Sequence, residues 1–407
     1  MIALAVAGSY LAILAVKRTL ALRYAERHRG ARAKPTSLSA TMVQPISSAT
    51  MAQLILGARA AQPMLSATIV QPILSGDPML EPTLARNVEL LAGTAFVWLV
   101  DADDLLAQEA CAAIRRRNPS RDITVLQCPS APANVNPKLF KLELARAEVR
   151  TEAFVVVDDD TVVGPQALEA LLAALDSYAL ATGLPCYESG SGAPSRLVAE
   201  FVNDNSSLTY LTICSLMRPM TVNGMCYALR CATLANIGGF APLLRSLTDD
   251  VAIARAVLRS GGTIFQSPYP HETRTTVAGW RAYVLLMQRW FLFARLLLAS
   301  EPLPVVAIVA VFFVLPPLLL WSILVLAVAA PSPVSAGSAA LVLLVRGLLL
   351  IDVRRRTLGR ARHVWFLSIV SELLQPLHAL HAACSRTIRW RSRRFRVRDI
   401  DDFSLVP

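Results

Sequence analysis

The chain divides by the rhythm of its apolar positions. Between residues 66 and about 270, short apolar runs alternate with stretches of helical spacing. Thr68 to Val70 predicts a strand, followed by a helix from Pro82 to Leu91. Ala95 to Val100 predicts a second strand, leading to Asp101 and a helix through Arg117. Ile123 to Leu126 is a third strand, with a helix from Lys138 to Glu148 after it. Phe154 to Val157 is a fourth, followed by a helix from Pro165 to Leu175. This alternation predicts βαβ units on a largely parallel sheet, an α/β fold. Ligands on such sheets bind beyond the carboxyl ends of the strands.

Outside this region the rhythm gives way to apolar blocks. Ile2 to Val16 carries no charge. At ~1.5 Å per residue it covers about 22 Å, short of the ~30 Å hydrocarbon core. Lys17 and Arg18 can snorkel, and Leu20 to Leu22 extend the helix. A signal peptide would carry its basic residues before the run; here Lys17, Arg18, Arg23, Arg27 and Arg29 follow it. The positive-inside rule then places the next domain in the cytoplasm. Leu303 to Ala330 is uncharged and broken by Pro316-Pro317, which predicts one kinked, tilted span. Val334 to Ile351 is a second candidate, with Arg346 inside it and a cluster of arginines from Arg354 to Arg362 behind it. Trp365 to Cys384 is apolar but holds Glu372, Gln375, Pro376, His378 and His381. A charge is costly at the bilayer centre. The segment is therefore expected to be interfacial or re-entrant, which leaves the basic tail cytoplasmic. The expected divisions are an anchor at 1–29, a linker at 30–65, a catalytic domain at 66–300, a membrane region at 301–385 and a tail at 386–407. Ser39 to Ile46 in the linker recurs almost unchanged as Ser66 to Ile73, a local duplication too short for a solenoid.

Composition strengthens the membrane reading. Apolar residues make up 54% of the chain and charged ones 17%, against roughly 25% in soluble domains. The net charge of +11 gathers beside the apolar segments, which fits anionic lipid headgroups. No interleaving of aromatic and basic residues points to nucleic acid. Arg outnumbers Lys so heavily (only four Lys) that a GC-rich genome is the simplest source. The seven cysteines are odd in number and form no CxxC, so they read as free thiols in a reducing compartment.

The candidate chemistry sits where the sheet rule places it. Asp158-Asp159-Asp160 follows the fourth strand. Two carboxylates one residue apart, Asp158 and Asp160, can hold a Mg²⁺ or Mn²⁺ that also binds a diphosphate. Without a ligand they are an acidic turn before a helix. Thr248-Asp249-Asp250 opens another helix. Asp250 is the candidate general base, although the pair alone also reads as first-turn carboxylates. Gln288-Arg289-Trp290 offers a phosphate ligand in Arg289 and a sugar-stacking or bracing ring in Trp290; the pair alone also reads as an interfacial anchor. Asp101 and Asp104 after the second strand can accept a base N–H, or simply form a solvated loop. Lys138 of Asn136-Pro137-Lys138 can meet phosphate, or simply start a helix. His271 near Glu272 reads as a surface or supporting residue. Glu372, His378 and His381 share helical spacing and read as a polar face at the interface rather than a metal site.

Taken in order, these residues resemble the ceramide glucosyltransferase family. The resemblance covers most of residues 66–398 and runs through Gln71 to Pro78, Asp101 to Asp104, Asn136 to Lys138, Asp158, Gly224-Met225, Asp249-Asp250 and Trp390 to Arg396. It implies the Rossmann-like A-type glycosyltransferase fold between N-terminal and C-terminal transmembrane helices, a nucleoside diphosphate-sugar donor, UDP-sugars foremost, and a β-linked product. It also assigns Gly224, Met225 and Asp249 to the acceptor region. Two positions depart from the family pattern. Leu286 stands where the family has Gln or Arg, and Thr182 stands where the ceramide enzymes have His. Hopanoid-lipid glycosyltransferases belong to the same broader group. The expected protein is an integral membrane enzyme of a bacterial inner membrane, acting on a nucleotide-sugar and a membrane lipid at its cytoplasmic face. A processive polysaccharide synthase would need more spans than this chain supplies. An inactive scaffold would have no use for the intact Asp158, Asp160 and Asp250.

Overall fold

The computed structural model describes residues 1–29, 65–274, 276–360, 362–390, 393–400 and 403–406. The expected linker as far as residue 64, with the first copy of the repeat, lies outside these residues, as do Arg391 and Ser392 of the tail. Eight strands form one sheet: β1 (Ala67–Ile73), β2 (Ala95–Asp101), β3 (Ile123–Cys128), β4 (Ala153–Val157), β5 (Thr161–Val162), β6 (Leu180–Tyr187), β7 (Cys226–Arg230) and β8 (Ile264–Thr273). A separate three-stranded sheet holds β9 (Thr387–Trp390), β10 (Arg393–Val397) and β11 (Phe403–Val406). The helices are α1 (Ile2–Arg29), α2 (Leu80–Leu90), α3 (Leu105–Arg117), α4 (Pro137–Ala145), α5 (Pro165–Ala174), α6 (Ala193–Ser206) and α7 (Thr212–Leu216). They continue as α8 (Cys231–Asn236), α9 (Asp249–Arg259), α10 (Trp280–Ala299), α11 (Leu303–Val309), α12 (Leu315–Ala329), α13 (Pro333–Leu358) and α14 (Trp365–Cys384).

The strand order is β3-β2-β1-β4-β7-β6-β8-β5. Strands β1 to β4 pair in parallel, as the alternation predicts. The second half departs from the expectation: β7 is antiparallel to both β4 and β6, and β5 to β8. The sheet is mixed rather than largely parallel. The cause is local, because β7 starts beside the carboxyl end of β4, with Cys226 opposite Val157, and must run back along it.

Side chains on β4 alternate between two cores, as the period of a strand requires. Val155 and Val157 pack with Leu84 and Val88 of α2, Ile114 of α3 and Leu171 of α5. Phe154 and Val156 pack with Leu142 of α4, Leu234 of α8 and Ile253 and Val257 of α9. Each such side chain contributes roughly 1.5–3 kcal/mol on burial. The helix starts differ slightly from expectation. The Asp77 carboxylate accepts the Met79 N–H and its carbonyl the Leu80 N–H, so α2 begins two residues early. Asn136 caps α4 by accepting from the N–H of Lys138 and Leu139, with Pro137 in the first turn.

Among the described residues, four helices are long and apolar enough to cross a membrane: α1, α10, the continuous helix Leu303–Ala329 and α13. Where a kink is expected, a π-helical segment, Ala310–Val314, joins α11 and α12. Pro316 and Pro317 lie in the first turn of α12, and their missing N–H groups and rings disturb the preceding turn. Sequence rhythm placed α10 inside the catalytic domain and did not single it out as a span. Helix α14 is unbroken by Pro376. The Arg362 carbonyl before its start accepts from Arg354 of α13, which also holds Glu200 of α6, and the Ser385 carbonyl after its end accepts from Gln288 of α10. The tail strands share a core with α9 and α10 through Val251, Leu292, Ile388 and Phe395.

Several charged groups inside the helical bundle are paired. Arg346 donates to Glu372 at 2.7 Å, and Tyr10 donates to the same carboxylate at 3.0 Å. Arg354 holds Glu200 at 2.6 Å and Asp204 at 2.7 Å. Arg18 holds Asp352 at 2.6 Å.

Candidate active site

The carboxyl end of β4 runs directly into the acidic triplet. The Asp158 carbonyl accepts the Thr161 N–H at 3.1 Å and closes a tight turn. Strand β5 follows at once and pairs with the end of β8. The turn lies beside the end of β1, at the point where the chain reverses its winding across the sheet. Its three carboxylates are employed differently. Asp159 accepts the Leu74 N–H at 2.8 Å and ties the turn to β1. Asp160 accepts the Thr161 hydroxyl at 3.2 Å. Asp158 meets the Lys138 ammonium at 2.7 Å. The middle residue is thus structural, and Asp158 and Asp160 flank it.

Lys138, the expected phosphate ligand, lies against two carboxylates and a backbone carbonyl. Asn136 anchors the start of α4 by donating to the carbonyls of Ser246 and Leu247, just before α9. From that start, Lys138 reaches Asp158 at 2.7 Å, Asp249 at 2.7 Å and the Gly224 carbonyl at 2.8 Å. Those three acceptors match the three N–H groups of an ammonium. Burial alone would lower its proton affinity, but Asp158 and Asp249 outweigh it and keep the group charged.

Asp249 and Asp250 occupy the first turn of α9, whose N-cap Thr248 makes no side-chain cap. Asp250 accepts the N–H of Val251 at 2.8 Å. Burial, then the neighbouring Asp249 charge, push its carboxyl up to about 7. A carboxyl in that range can exchange a proton near neutrality. The Gly224–Met225 loop lies directly on this turn. A Cβ at Gly224 would stand 3.3 Å from the Asp250 Cβ and 3.4 Å from an Asp249 oxygen, so the close approach favours glycine. The Met225 carbonyl accepts the Asp158 N–H at 3.0 Å, which joins this loop to the triplet.

Trp290 on α10 packs edge-on to Tyr187 and stacks near Phe201 of α6. The Tyr187 hydroxyl donates to the Met225 sulfur at 3.4 Å. Burial, then the charges of Asp160 and Asp158, push the Tyr187 phenol well up, and Arg289 opposes them. Tyr187 thus links Trp290 to the Gly224–Met225 loop and feels the charges of Asp158, Asp160 and Arg289. Sequence reading missed it, although it ends β6, where the carboxyl-end rule would have looked. Leu286 packs with Trp290, Met225 and Tyr187 in one apolar cluster. Gln288 is turned away and donates to the carbonyls of Ser385 and Thr387 in the tail. It therefore does not replace the polar group missing at Leu286.

The other candidates fall outside this cluster or serve it indirectly. Asp101 ends β2 and pairs with Lys141 at 2.8 Å. Asp104 caps α3, and its two oxygens accept the N–H groups of Ser75 and Ala107. Burial would raise its carboxyl, but those hydrogen bonds hold it below the usual range. Asp104, expected to receive a base N–H, also fixes the loop that joins β1 to α2 through Ser75. Thr182 bonds with the N–H of Asn223 and the Cys226 carbonyl, which fixes the Gly224 loop. His271 is not at the surface: it is buried in β8 against Gly183, and burial lowers its imidazole to about 3. Glu372, His378 and His381 do not converge, since Glu372 binds Arg346 and His378 meets the Tyr283 hydroxyl. A different group, Glu200, Asp204 and His363, has oxygen and nitrogen atoms close enough for an ion, but Arg354 already occupies both carboxylates.

The family model described as Glycosyl transferase family 21 matches residues 36–401. No curated protein matches the chain. Solved structures with similar coordinates include a mannosyltransferase from Pyrobaculum calidifontis in complex with GDP-Man and Mn²⁺. It is 16% identical, covers 92% of this chain and 99% of its own, and has a TM-score of 0.48. Another is glucosyl-3-phosphoglycerate synthase from Mycobacterium tuberculosis, with Mn²⁺, UDP and phosphoglyceric acid. It is 15% identical, covers 60% of this chain and 80% of its own, and has a TM-score of 0.34.

Proposed function

The chain belongs to glycosyl transferase family 21, the ceramide glucosyltransferase family, and is a glycosyltransferase; from that premise we propose that it transfers a hexose, with inversion, from a nucleoside diphosphate-sugar to a hydroxyl of a membrane lipid. The observation that carries this reading is the Lys138 ammonium, which touches the donor-side carboxylate Asp158 and the acceptor-side carboxylate Asp249 at 2.7 Å each. The two halves of a sugar transfer are thereby one side chain apart.

The donor set at the triplet consists of hard carboxylate oxygens, which suit Mg²⁺ or Mn²⁺. Asp158 and Asp160 would hold the ion, while Asp159 is diverted to Leu74. When bound, such an ion neutralises charge on the diphosphate as it departs. Arg289 supplements that charge from α10, and Trp290 and Tyr187 close the sugar side with apolar surface. Asp250 accepts the proton of the acceptor hydroxyl while its oxygen bonds to the anomeric carbon and the bond to the diphosphate breaks. The raised carboxyl of Asp250 suits that role, since a base poised near 7 is both ionised and basic enough to act.

The lipid would reach this base between α6, α10 and α14, where Phe201, Leu286, Leu367 and Leu374 line an apolar wall. The polar residues of α14 support an interfacial helix rather than a crossing one, and the core that the tail strands share with Val251 of α9 supports a tail on the catalytic side. We take the cytoplasmic face of a bacterial inner membrane as that side, from the arginines that follow α1 and α13. UDP-sugar is the donor we favour. The test is membranes containing the protein, supplied with radiolabelled UDP-glucose, UDP-galactose or GDP-mannose, with lipid extracts read for label. Wild type is expected to label one lipid class, and Asp250→Asn to reduce labelling at least about 100-fold. Equal labelling by Asp250→Asn would remove Asp250 as the base.

A further inference from the structure

We propose that Lys138 is a built-in counter-ion of the donor site: its ammonium holds the Asp158 carboxylate in the donor-free enzyme, yields it to the divalent cation, and keeps Asp249 and the Gly224 carbonyl. The inference rests on the reading of Asp158 as a metal ligand.

The three acceptors of Lys138 come from three separate elements. Asp158 closes β4, Asp249 opens α9, and Gly224 precedes β7. The ammonium is thus the point at which the donor turn, the acceptor loop and the base helix meet. Its side chain is only 15% exposed, so water does little to screen it. A divalent cation on Asp158 would face this ammonium across a single carboxylate, and two cations sharing one carboxylate repel each other. A lysine, with a flexible stem and a compact charge, can give up one partner without leaving the other two. The cap at Asn136 fixes the start of α4 and limits how far the ammonium can retreat. Its retreat is therefore toward Asp249 and Gly224, the residues that touch Asp250. Loading of the donor would in this way be felt at the base helix. A lysine that served as a phosphate ligand would act otherwise: it would strengthen donor binding and leave the affinity for the bare metal alone.

The test is a titration of Mn²⁺ alone into the purified full-length protein in detergent, with no nucleotide. Free Mn²⁺ is followed by electron paramagnetic resonance, and thermal unfolding is recorded alongside. Lys138→Met removes a competing charge and is expected to bind Mn²⁺ at least about tenfold more tightly than wild type. Its melting temperature is also expected to rise more on adding Mn²⁺. Lys138→Arg keeps the charge and is expected to stay near wild type. Lys138→Gln keeps a donor for Asp249 and Gly224 without the charge, and gives the same reading where the methionine variant does not fold. Equal or weaker Mn²⁺ binding by the uncharged variants, beside a wild type that binds, overturns the counter-ion. Absence of Mn²⁺ binding in wild type and variants alike overturns the metal reading of Asp158, and the counter-ion with it.

Discussion

The donor side and the membrane-facing side of this molecule are built on different principles. On the donor side the parts are close in sequence and placed by local signals: Lys138 and Asp158 are twenty residues apart, the first in the opening turn of α4 and the second just past the carboxyl end of β4. On the membrane-facing side the parts are distant. Arg354 pairs with Glu200 across 154 residues, and Tyr10 with Glu372 across 362. The donor side is half open, with the Asp158 side chain 28% exposed, whereas the Arg354 and Glu200 side chains are 2% and 3% exposed. Charge on the first side is arranged to meet a ligand. Charge on the second is arranged to cancel, and it locks α6 to α13 and α14.

The contrast is broken or sharpened most strongly by removing one charge from the locked side. Arg354→Met leaves Glu200 and Asp204 buried without their shared partner. Breaking a buried ion pair from one side costs about 3–5 kcal/mol. The expected outcome, read by thermal unfolding in detergent, is a large fall in melting temperature or loss of folded protein. Adding Glu200→Gln and Asp204→Asn to the same chain should recover part of the loss. The matched change on the donor side is Lys141→Met, which frees an Asp101 side chain that is 25% exposed. Water can take over there, so the expected cost is about 1 kcal/mol. Equal costs at the two sites would erase the distinction.

The same contrast explains what the sequence revealed. The strands β1 to β4, the triplet and Asp249-Asp250 were legible because apolar period and the carboxyl-end rule are local signals. Strand β7 was not, because its direction depends on where the Gly224 loop meets β4. Arg346 and Glu372 appeared as two separate awkward charges in apolar segments, and only the fold makes them one pair at 2.7 Å. Lys138 was legible as a site residue, but its partners were not. Asn-Pro-Lys announces a capped helix, and nothing in it says that two carboxylates wait at the other end of the side chain. Tyr187 was missed for a similar reason: a Tyr at the end of a buried strand gives no hint that Trp290 will pack on it.

A smaller effect separates the base from its surroundings. A raised carboxyl at Asp250 is protonated, and inactive as a base, below about pH 7, and ionised above it. Turnover per unit enzyme should therefore rise about tenfold per pH unit up to about 7 and then level off. Asp249→Asn removes one of the two causes of the shift, so the limb should move to lower pH. A limb that stays in place, or lies near pH 4 in wild type, would place the titrating group elsewhere.

The smallest effect concerns Leu286, where the membrane-facing side departs from the family pattern. Leu286 lies on the face of α10 that carries Trp290, one helical turn later, and packs with it in the apolar cluster. Gln288 is rotated off that face and is held by the tail. The missing polar contact has thus been replaced by apolar surface, and on the proposed reading Asp250 and the Gly224 loop are left to position the acceptor hydroxyl. Leu286→Gln would place an amide in a half-buried apolar wall at a cost of about 1–2 kcal/mol. We expect kcat/KM for the lipid to change by less than about tenfold, with the KM for the sugar donor unchanged. Kinetics with the lipid in mixed micelles would measure both. A shift in donor KM would mean that Leu286 belongs to the donor side after all, and that the boundary between the two halves runs through α10 rather than along it.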